Sequence, residues 1–535
     1  MPDADADATW FKAIDIARLR ERGRAVVRID GKQLALFAVL ESVFACNNRC
    51  PHEGYPLVEG HLACFADDPC VLTCNWHNWK FELDSGRNIY GGDALRVYPV
   101  RIADGAVWVD VADAPGERRI RDAYESLRAA MDENQYDRLA RDLARLGKAG
   151  ADPRDAVARA IVWSHRRLRE GMTHAYAAAN GWLRLHDDTG DPAERLACLA
   201  EAVGHIAYDT LRESDWPYGE DEQPWDETRF AAAVEAQDEA AALARLRGAL
   251  AAGAGFATLE PTLARAALAH YNDFGHALIY LRACGDLIER FGAEVRAPLL
   301  LAYVRSLVRA TREDLLPEFR SYAAALATWA TAAPLRHGAP DLQTWVGRSI
   351  DESLEATLAA RGAAPIELFH ALLGAASLHL LRFDPAHELR SDGPVAGNIG
   401  WLDFTHAITF ANAVRVTCSR LPDLWPAALL QMALFVGRNT PYLGAEDVGW
   451  RVDDVAVLET TCRERVLDHG VGLYIHSAHL LKTWLAARDE LAAAPPAGVA
   501  GAVAAAVNRY LHARVRQKRT VRTARQALDF VARED

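Results

Sequence analysis

Two kinds of hydrophobic periodicity divide this chain. Between residues 24 and 112 apolar and polar positions alternate, as in RAVVRID, QLALFAV, SVFAC, LRVYPVRI and AVWVDV. A period of two places successive side chains on opposite faces of a strand. Gly31-Lys32 and Asp104-Gly105 punctuate these runs as hairpin turns. From about residue 118 apolar positions recur at three and four, and Ala, Leu, Arg and Glu dominate. DAPGE (113–117) reads as the boundary. Helices are expected near 153–186, 191–213, 228–252, 258–292, 294–332, 342–361, 365–382, 401–420, 425–437, 453–487 and 497–531. Asp152-Pro153 supplies a cap and a first residue for one of them. The polar, aromatic stretch SDWPYGEDEQPWDET (214–228) reads as a loop. The expected fold class is multidomain α+β: a small all-β domain over 1–112, then a large all-α domain over 118–535.

Composition narrows the function without naming it. At 535 residues the chain exceeds one ordinary core. A net charge of −13 argues against nucleic acid or an anionic membrane as partner. No apolar run is long enough to span a bilayer, and the acidic start MPDADADATW is unlike a signal peptide, so a cytoplasmic protein is expected. Five of the nine cysteines (Cys46, Cys50, Cys64, Cys70, Cys74) cluster, and the rest are scattered on apolar helices. That distribution suits a reduced compartment and a metal site better than a disulfide framework.

The chemistry of the β half lies in Cys50-Pro51-His52 and Cys74-Asn75-Trp76-His77. Zinc would accept such a Cys₂His₂ set, but TCNWHNWKFELDSG runs from its ligands into a hairpin pattern. With that flank, residues ~8–112 resemble Rieske ferredoxins and the Rieske domain of ring-hydroxylating oxygenases. The resemblance implies a [2Fe–2S] cluster, two thiolates on one iron and two imidazoles on the other, carrying one electron at a time. Three departures stand out. The His52–Cys74 loop holds 21 residues, Asn78 stands where Gly is usual, and Tyr55 and Asn75 replace the extra disulfide of the cytochrome-complex subtype.

The helical half is rich in histidine: fifteen of the 18 follow residue 112. His205, His276, His370, His406, His476 and His479 sit on apolar helical stretches. Each alone suits a core histidine bonded to backbone; as a group they suit a shared metal site built from facing helices. Lys482 stands out because arginine does nearly every other cationic job between Lys148 and Lys518. It shares a face with His479. Burial there depresses its pKa, and a neutral amine adds to carbon dioxide to give a carboxylate-like ligand. A snorkelling lysine is the plainer alternative.

DFGHALIYL, FHALLGAASLHLL, DFTHAITFANAV and HLLK are similar to motifs of the questin-oxidase-like, His-rich helical oxygenases. That resemblance implies a mononuclear iron, Fe(2+), held by His276, His370, His406, His479 and a carboxylated Lys482, with His205 or His476 as further ligands. It also implies oxygenation of aromatic substrates. An ordinary Rieske oxygenase instead carries D-x-x-H-x₄-H in a β-rich domain, and no histidine pair here has that spacing. A two-iron bundle would need Glu-x-x-His pairs, absent at His205, His276, His406 and His479.

The expected function is a Rieske-coupled, O₂-dependent iron oxygenase, with His276, His406, His479 and Lys482 catalytic. Its substrate would be an aromatic or cyclic small molecule. An external reductase or ferredoxin would supply electrons, since no dinucleotide fingerprint is present, and a homo-oligomer fits by analogy. The alternative is an electron-transfer or redox-sensing protein whose helical domain is an interaction scaffold.

Overall fold

The computed structural model describes residues 9–64, 69–269, 272–312, 315–331, 339–445 and 448–534. The acidic start, positions 270–271 of the expected 258–292 helix, and 313–314 and 332 of the expected 294–332 helix lie outside them. The chain forms two compact units: residues 1–130 with 135–152, and residues 131–134 with 153–535.

The first unit holds ten strands in three antiparallel sheets. One pairs β1 (Trp10–Asp15), β10 (Ala106–Asp110) and β9 (Val100–Ala103). A second orders β2 (Arg24–Ile29), β3 (Lys32–Val39), β4 (Ser42–Asn47) and β8 (Val97–Tyr98). The third is β5 (His61–Ala63), β6 (Val71–Thr73) and β7 (Lys80–Glu82). The β2–β3 hairpin turns on Asp30-Gly31, one residue earlier than expected, and β9–β10 turns on Asp104-Gly105. All four turn residues have positive φ (47°, 71°, 52° and 72°), the backbone of tight hairpins. Leu34, Leu36, Ala45, Val107 and Val109 form one core. Ala35, Phe37, Leu72, Phe81 and Leu95 form another, and Cys50 and Cys74 are part of it.

The change to helix at 118 is real, but two helices, Gly116–Asp132 and Tyr136–Ala149, belong mostly with the β unit. They are tied to it by charge. Asp93, fully buried, takes Arg141 at 2.6 Å and Arg145 at 2.5 Å. The cysteine expectation needs correction as well: Cys64 and Cys70 are joined as a disulfide across the loop between β5 and β6. The other seven cysteines are free and buried.

Among its described residues the second unit has helices and no β-strand, and residues 213–226 form the expected loop. Long runs expected as single helices break where the backbone must turn. The 153–186 run divides into Asp155–Ser164 and His174–Asp187 around Gly171, whose φ is +89° and whose Cα packs on the backbone of Ala302 and Ser306. The 453–487 run divides into Val455–Leu467 and Tyr474–Ala492 around Gly470, at φ +61°. Four helices close a ring: His174–Asp187, Asn272–Phe291, Trp401–Arg420 and Tyr474–Ala492 each pack on the next, and the last returns to the first. No described helix is long and apolar enough to cross a membrane.

Candidate functional site: two clusters of metal-ligating side chains

In the β unit, Cys50 and Cys74 open two loops of the same design. The Cys50 carbonyl accepts from Gly54 N–H at 2.8 Å, and Cys50 N–H donates to the Tyr55 carbonyl at 2.9 Å. The Cys74 carbonyl accepts from Asn78 N–H at 3.0 Å, and Cys74 N–H donates to the Trp79 carbonyl at 2.8 Å. Asn78 therefore does what Gly54 does. Their φ values are +60° and +77°, and Asn is among the few side chains that visit this region readily. The departure from glycine leaves the loop geometry intact.

Both cysteines are buried. Burial pushes the Cys50 thiol up to about 11, the nearby Cys74 raises it further, and backbone N–H groups of His52 and Glu53 pull it down. Such a pair shares negative charge at a cost unless a cation neutralises it. The His52 and His77 rings lie 4.7 Å apart, edge to face. Trp79 stacks on His52 at 4.5 Å, and Tyr55 stacks on Trp76 at 5.8 Å. The His52 Nδ1 atom is buried with no hydrogen-bond partner. Two facing thiols, two facing imidazoles and an orphaned ring nitrogen fit a [2Fe–2S] centre of mixed ligation. Glu53 also approaches, with a carboxylate oxygen 3.7 Å from His77 Nδ1.

In the helical unit, one nitrogen each of His174, His276, His406 and His479 falls within 4.8 Å of all the others. Each comes from a different helix of the closed ring. The Nε2 atoms of His406 and His479 are 2.8 Å apart. His276 meets His174 at 4.5 Å and His406 at 4.4 Å between ring centres, both edge to face. The outer nitrogens are held. His479 Nδ1 lies 2.6 Å from the Ile475 carbonyl, so that nitrogen carries the proton and Nε2 keeps its lone pair. His174 Nδ1 lies 3.2 Å from the Tyr280 hydroxyl, and its Nε2 is buried without a partner.

The electrostatics keep three of these rings, His174, His406 and His479, neutral. Burial drops His406 to about 3 and pulls His174 and His479 well below the usual range, and a charge on Lys482 pushes all three the same way. Lys482 itself falls to about 7 because it is buried, and its Nζ has no hydrogen-bond partner. Neutral imidazole is the ligating form.

Of the expected helical ligands, the fold brings His276, His406 and His479 together and sets Lys482 near enough to act on the charge of His406 and His479. It does not bring in His205, His370 or His476. His205 stacks on Tyr474 at 5.2 Å, and its Nε2 sits 3.6 Å from Asp209. Burial raises Asp209 to about 6, and it accepts from Thr173 Oγ1 at 2.6 Å, next to His174. His370 feels Glu490 and Arg415 at the other end of these helices. His476 is buried and feels Arg519. The residue that sequence reasoning missed is His174. It stands first in its helix, behind the Thr173 cap, so no apolar helical stretch precedes it.

Comparisons with known proteins agree on the β unit. The profile of the Rieske [2Fe-2S] domain matches residues 9–99. The ferredoxin component of the alkene monooxygenase system of Xanthobacter autotrophicus is 27% identical over 112 residues, 21% of this chain and 80% of that protein. The 3-phenylpropionate/cinnamic acid dioxygenase ferredoxin subunit of Escherichia coli is 32% identical over 91 residues, 16% of this chain and 82% of that protein. The terminal oxygenase component CarAa of carbazole 1,9a-dioxygenase from a Sphingomonas species is 26% identical over 136 residues. That match covers 24% of this chain and 34% of the oxygenase, so the chain spans about a third of that relative. By residues 9–99 the chain belongs to the Rieske [2Fe–2S] family.

Proposed function

We propose that this chain is a Rieske-coupled oxygenase. The [2Fe–2S] centre at Cys50, His52, Cys74 and His77 passes electrons to an iron in the helical unit, for O₂-dependent oxidation of an aromatic or cyclic, natural-product-like molecule. When bound, the cluster supplies single electrons and the iron supplies the oxygen-activating chemistry that side chains lack. The observation that carries this reading is the meeting of four imidazoles from four helices. His174, His276, His406 and His479 replace the ligand set read from sequence.

The protein's own share is ligand geometry and protonation. The Ile475 carbonyl and the Tyr280 hydroxyl fix the outer nitrogens of His479 and His174. Burial keeps His174, His406 and His479 unprotonated. Lys482, as a carbamate, would add an anionic donor to the imidazoles. What supports the aromatic class is the resemblance of the helical motifs, together with Rieske relatives whose names include naphthalene, carbazole and cinnamic acid. An external reductase or ferredoxin feeds the cluster. The helical unit is read as a questin-oxidase-like oxygenase domain.

Metal analysis tests the reading. Protein produced with ample iron should hold three irons per chain, and His406→Ala or His479→Ala should lower this to two with the Rieske spectrum unchanged. Two irons in the parent protein, or no loss in either variant, would leave the helical unit as a scaffold.

A further inference from the structure

The C-terminal helix, Thr520–Val531, is amphipathic and lies on the protein with its polar face inward. Val521, Ala524, Leu528 and Val531 follow one another at intervals of three, four and three, which puts them on one face. Arg522, Arg525, Gln526 and Asp529 fall on the opposite face. The polar face is the one that touches the body. Arg522, 8% exposed, donates to the His387 carbonyl at 3.4 Å. Arg525 donates to Ser391 Oγ at 2.6 Å, and Gln526 Nε2 donates to the Gly393 carbonyl at 2.8 Å and to Asn398 Oδ1 at 2.9 Å. Just ahead of the helix, Arg519 pairs with buried Glu388 at 2.7 Å. The apolar face is left to solvent: Leu528 is 74% exposed, Phe530 on its flank is 65% exposed, and Val521 and Val531 are exposed as well. Leu389 and Val395, on the segment that receives the polar contacts, are also exposed. A surface helix ordinarily turns its apolar stripe to the core. This one is inverted, and apolar side chains exposed together mark an interaction surface.

The charge around this face is one-sided. From Leu491 to Leu528 the chain has seven arginines and lysines and no acidic residue, against 73 acidic residues in the whole sequence. Arg514, Arg516 and Lys518 are exposed just before the helix. Asp529, the one acid within it, pairs with Arg533 at 2.9 Å. The net charge of −13 is carried by other segments. Charges separated by more than about 8 Å are screened at physiological salt, so the whole-chain balance does not govern this edge. Two such faces brought together would set cation against cation, which disfavours a symmetric pairing of two copies. A single helix riding on the surface is convex, and a fluid lipid interface conforms to it. Such an interface takes apolar side chains at the acyl boundary and cations at its phosphates.

We propose that the outward face of the C-terminal helix is a docking surface for an anionic phospholipid bilayer. Val521, Leu528, Phe530 and Val531 enter the boundary between headgroups and acyl chains, and Arg514, Arg516 and Lys518 lie against lipid phosphates. The contact is peripheral, with the helix in the plane of the interface. The proposal goes beyond the oxygenase reading and does not rest on it.

The test uses the full-length protein and vesicles of equimolar phosphatidylglycerol and phosphatidylcholine, with pure phosphatidylcholine vesicles as the control. The protein should float with the anionic vesicles and stay behind with the neutral ones, and added salt should release it. Leu528→Asp combined with Phe530→Asp should abolish flotation; Leu528→Asp alone serves if the pair fails to fold. Arg514→Gln, Arg516→Gln and Lys518→Gln together should weaken binding about 100-fold. These side chains are exposed, so circular dichroism and the cluster spectrum should match those of the parent protein. No flotation, equal flotation with neutral vesicles, or flotation unchanged in either set of variants would overturn the proposal. So would a parent protein that leaves the vesicles alone, self-associates, and becomes monomeric on Leu528→Asp, since the face would then belong to a second copy.

Discussion

Acidifying the metal-free protein should unfold the helical unit early, and the size of the effect follows from the buried imidazoles. His205 and His406 are both lowered from 6.5 to about 3, mainly by burial. Above pH 6.5 these rings are neutral in the folded and unfolded chain alike, and the folded state keeps its full stability. As pH falls from 6.5 toward 3, only the unfolded chain takes up protons, so stability is lost. Each such group costs about 1.4 kcal/mol per pH unit in that window. Going from about pH 7.5 to about pH 5.5 crosses one such unit, so these two rings remove about 3 kcal/mol. His174 and His479 shift the same way and add to the loss. Urea titrations followed by circular dichroism at 222 nm report the helical transition directly. His406→Asn should flatten the pH dependence by one proton. A loss under about 1 kcal/mol, or a slope unchanged by His406→Asn, would mean that the rings are not held neutral and the site is not built to ligate.

Other outcomes follow from single contacts. Asn78→Gly should leave the second cluster loop as stable as it is, whereas Asn78→Val should cost about 1–2 kcal/mol through left-handed backbone strain, read from thermal melts of the visible cluster bands. Asp93→Ala strips the carboxylate from Arg141 and Arg145. It should destabilise the β unit by about 3 kcal/mol, the low end for a broken buried pair because both arginines are part-exposed; its thermal midpoint reads this. Gly275 has φ +86°, and a Cβ there would collide with the Phe410 ring, so Gly275→Ala should displace His276 and lower metal occupancy of the helical site while the cluster spectrum stays.

The β unit was legible because its signals are local. Alternation gave the strands, the two short Cys/His motifs gave the ligand set, and positive-φ residues gave the turns. The disulfide was not legible: Cys64 and Cys70 read as part of a crowded metal loop. In the helical unit each histidine was judged by its flanking residues, which picked out His276, His406 and His479 and also His205, His370 and His476, which stand elsewhere. What separates the groups is tertiary: His205 and His370 stand on helices outside the ring, and His476 stands three residues before His479 on the same helix. One trace of it is in the sequence. His174, His276, His406 and His479 are each followed seven residues later by Gly181, Ala283, Ala413 and Ala486, while Arg212, Ser377 and Thr483 follow the other three. That spacing does not single out His174, because His186, His270 and His379 are followed seven residues later by Ala193, Ala277 and Ala386.

A crystal of the iron-loaded protein, measured on both sides of the iron absorption edge, tests the central claim most directly. The account predicts two anomalous peaks between Cys50, His52, Cys74 and His77, and a third bounded by the ring nitrogens of His174, His276, His406 and His479. No third peak, or a third peak that disperses as zinc, would contradict it.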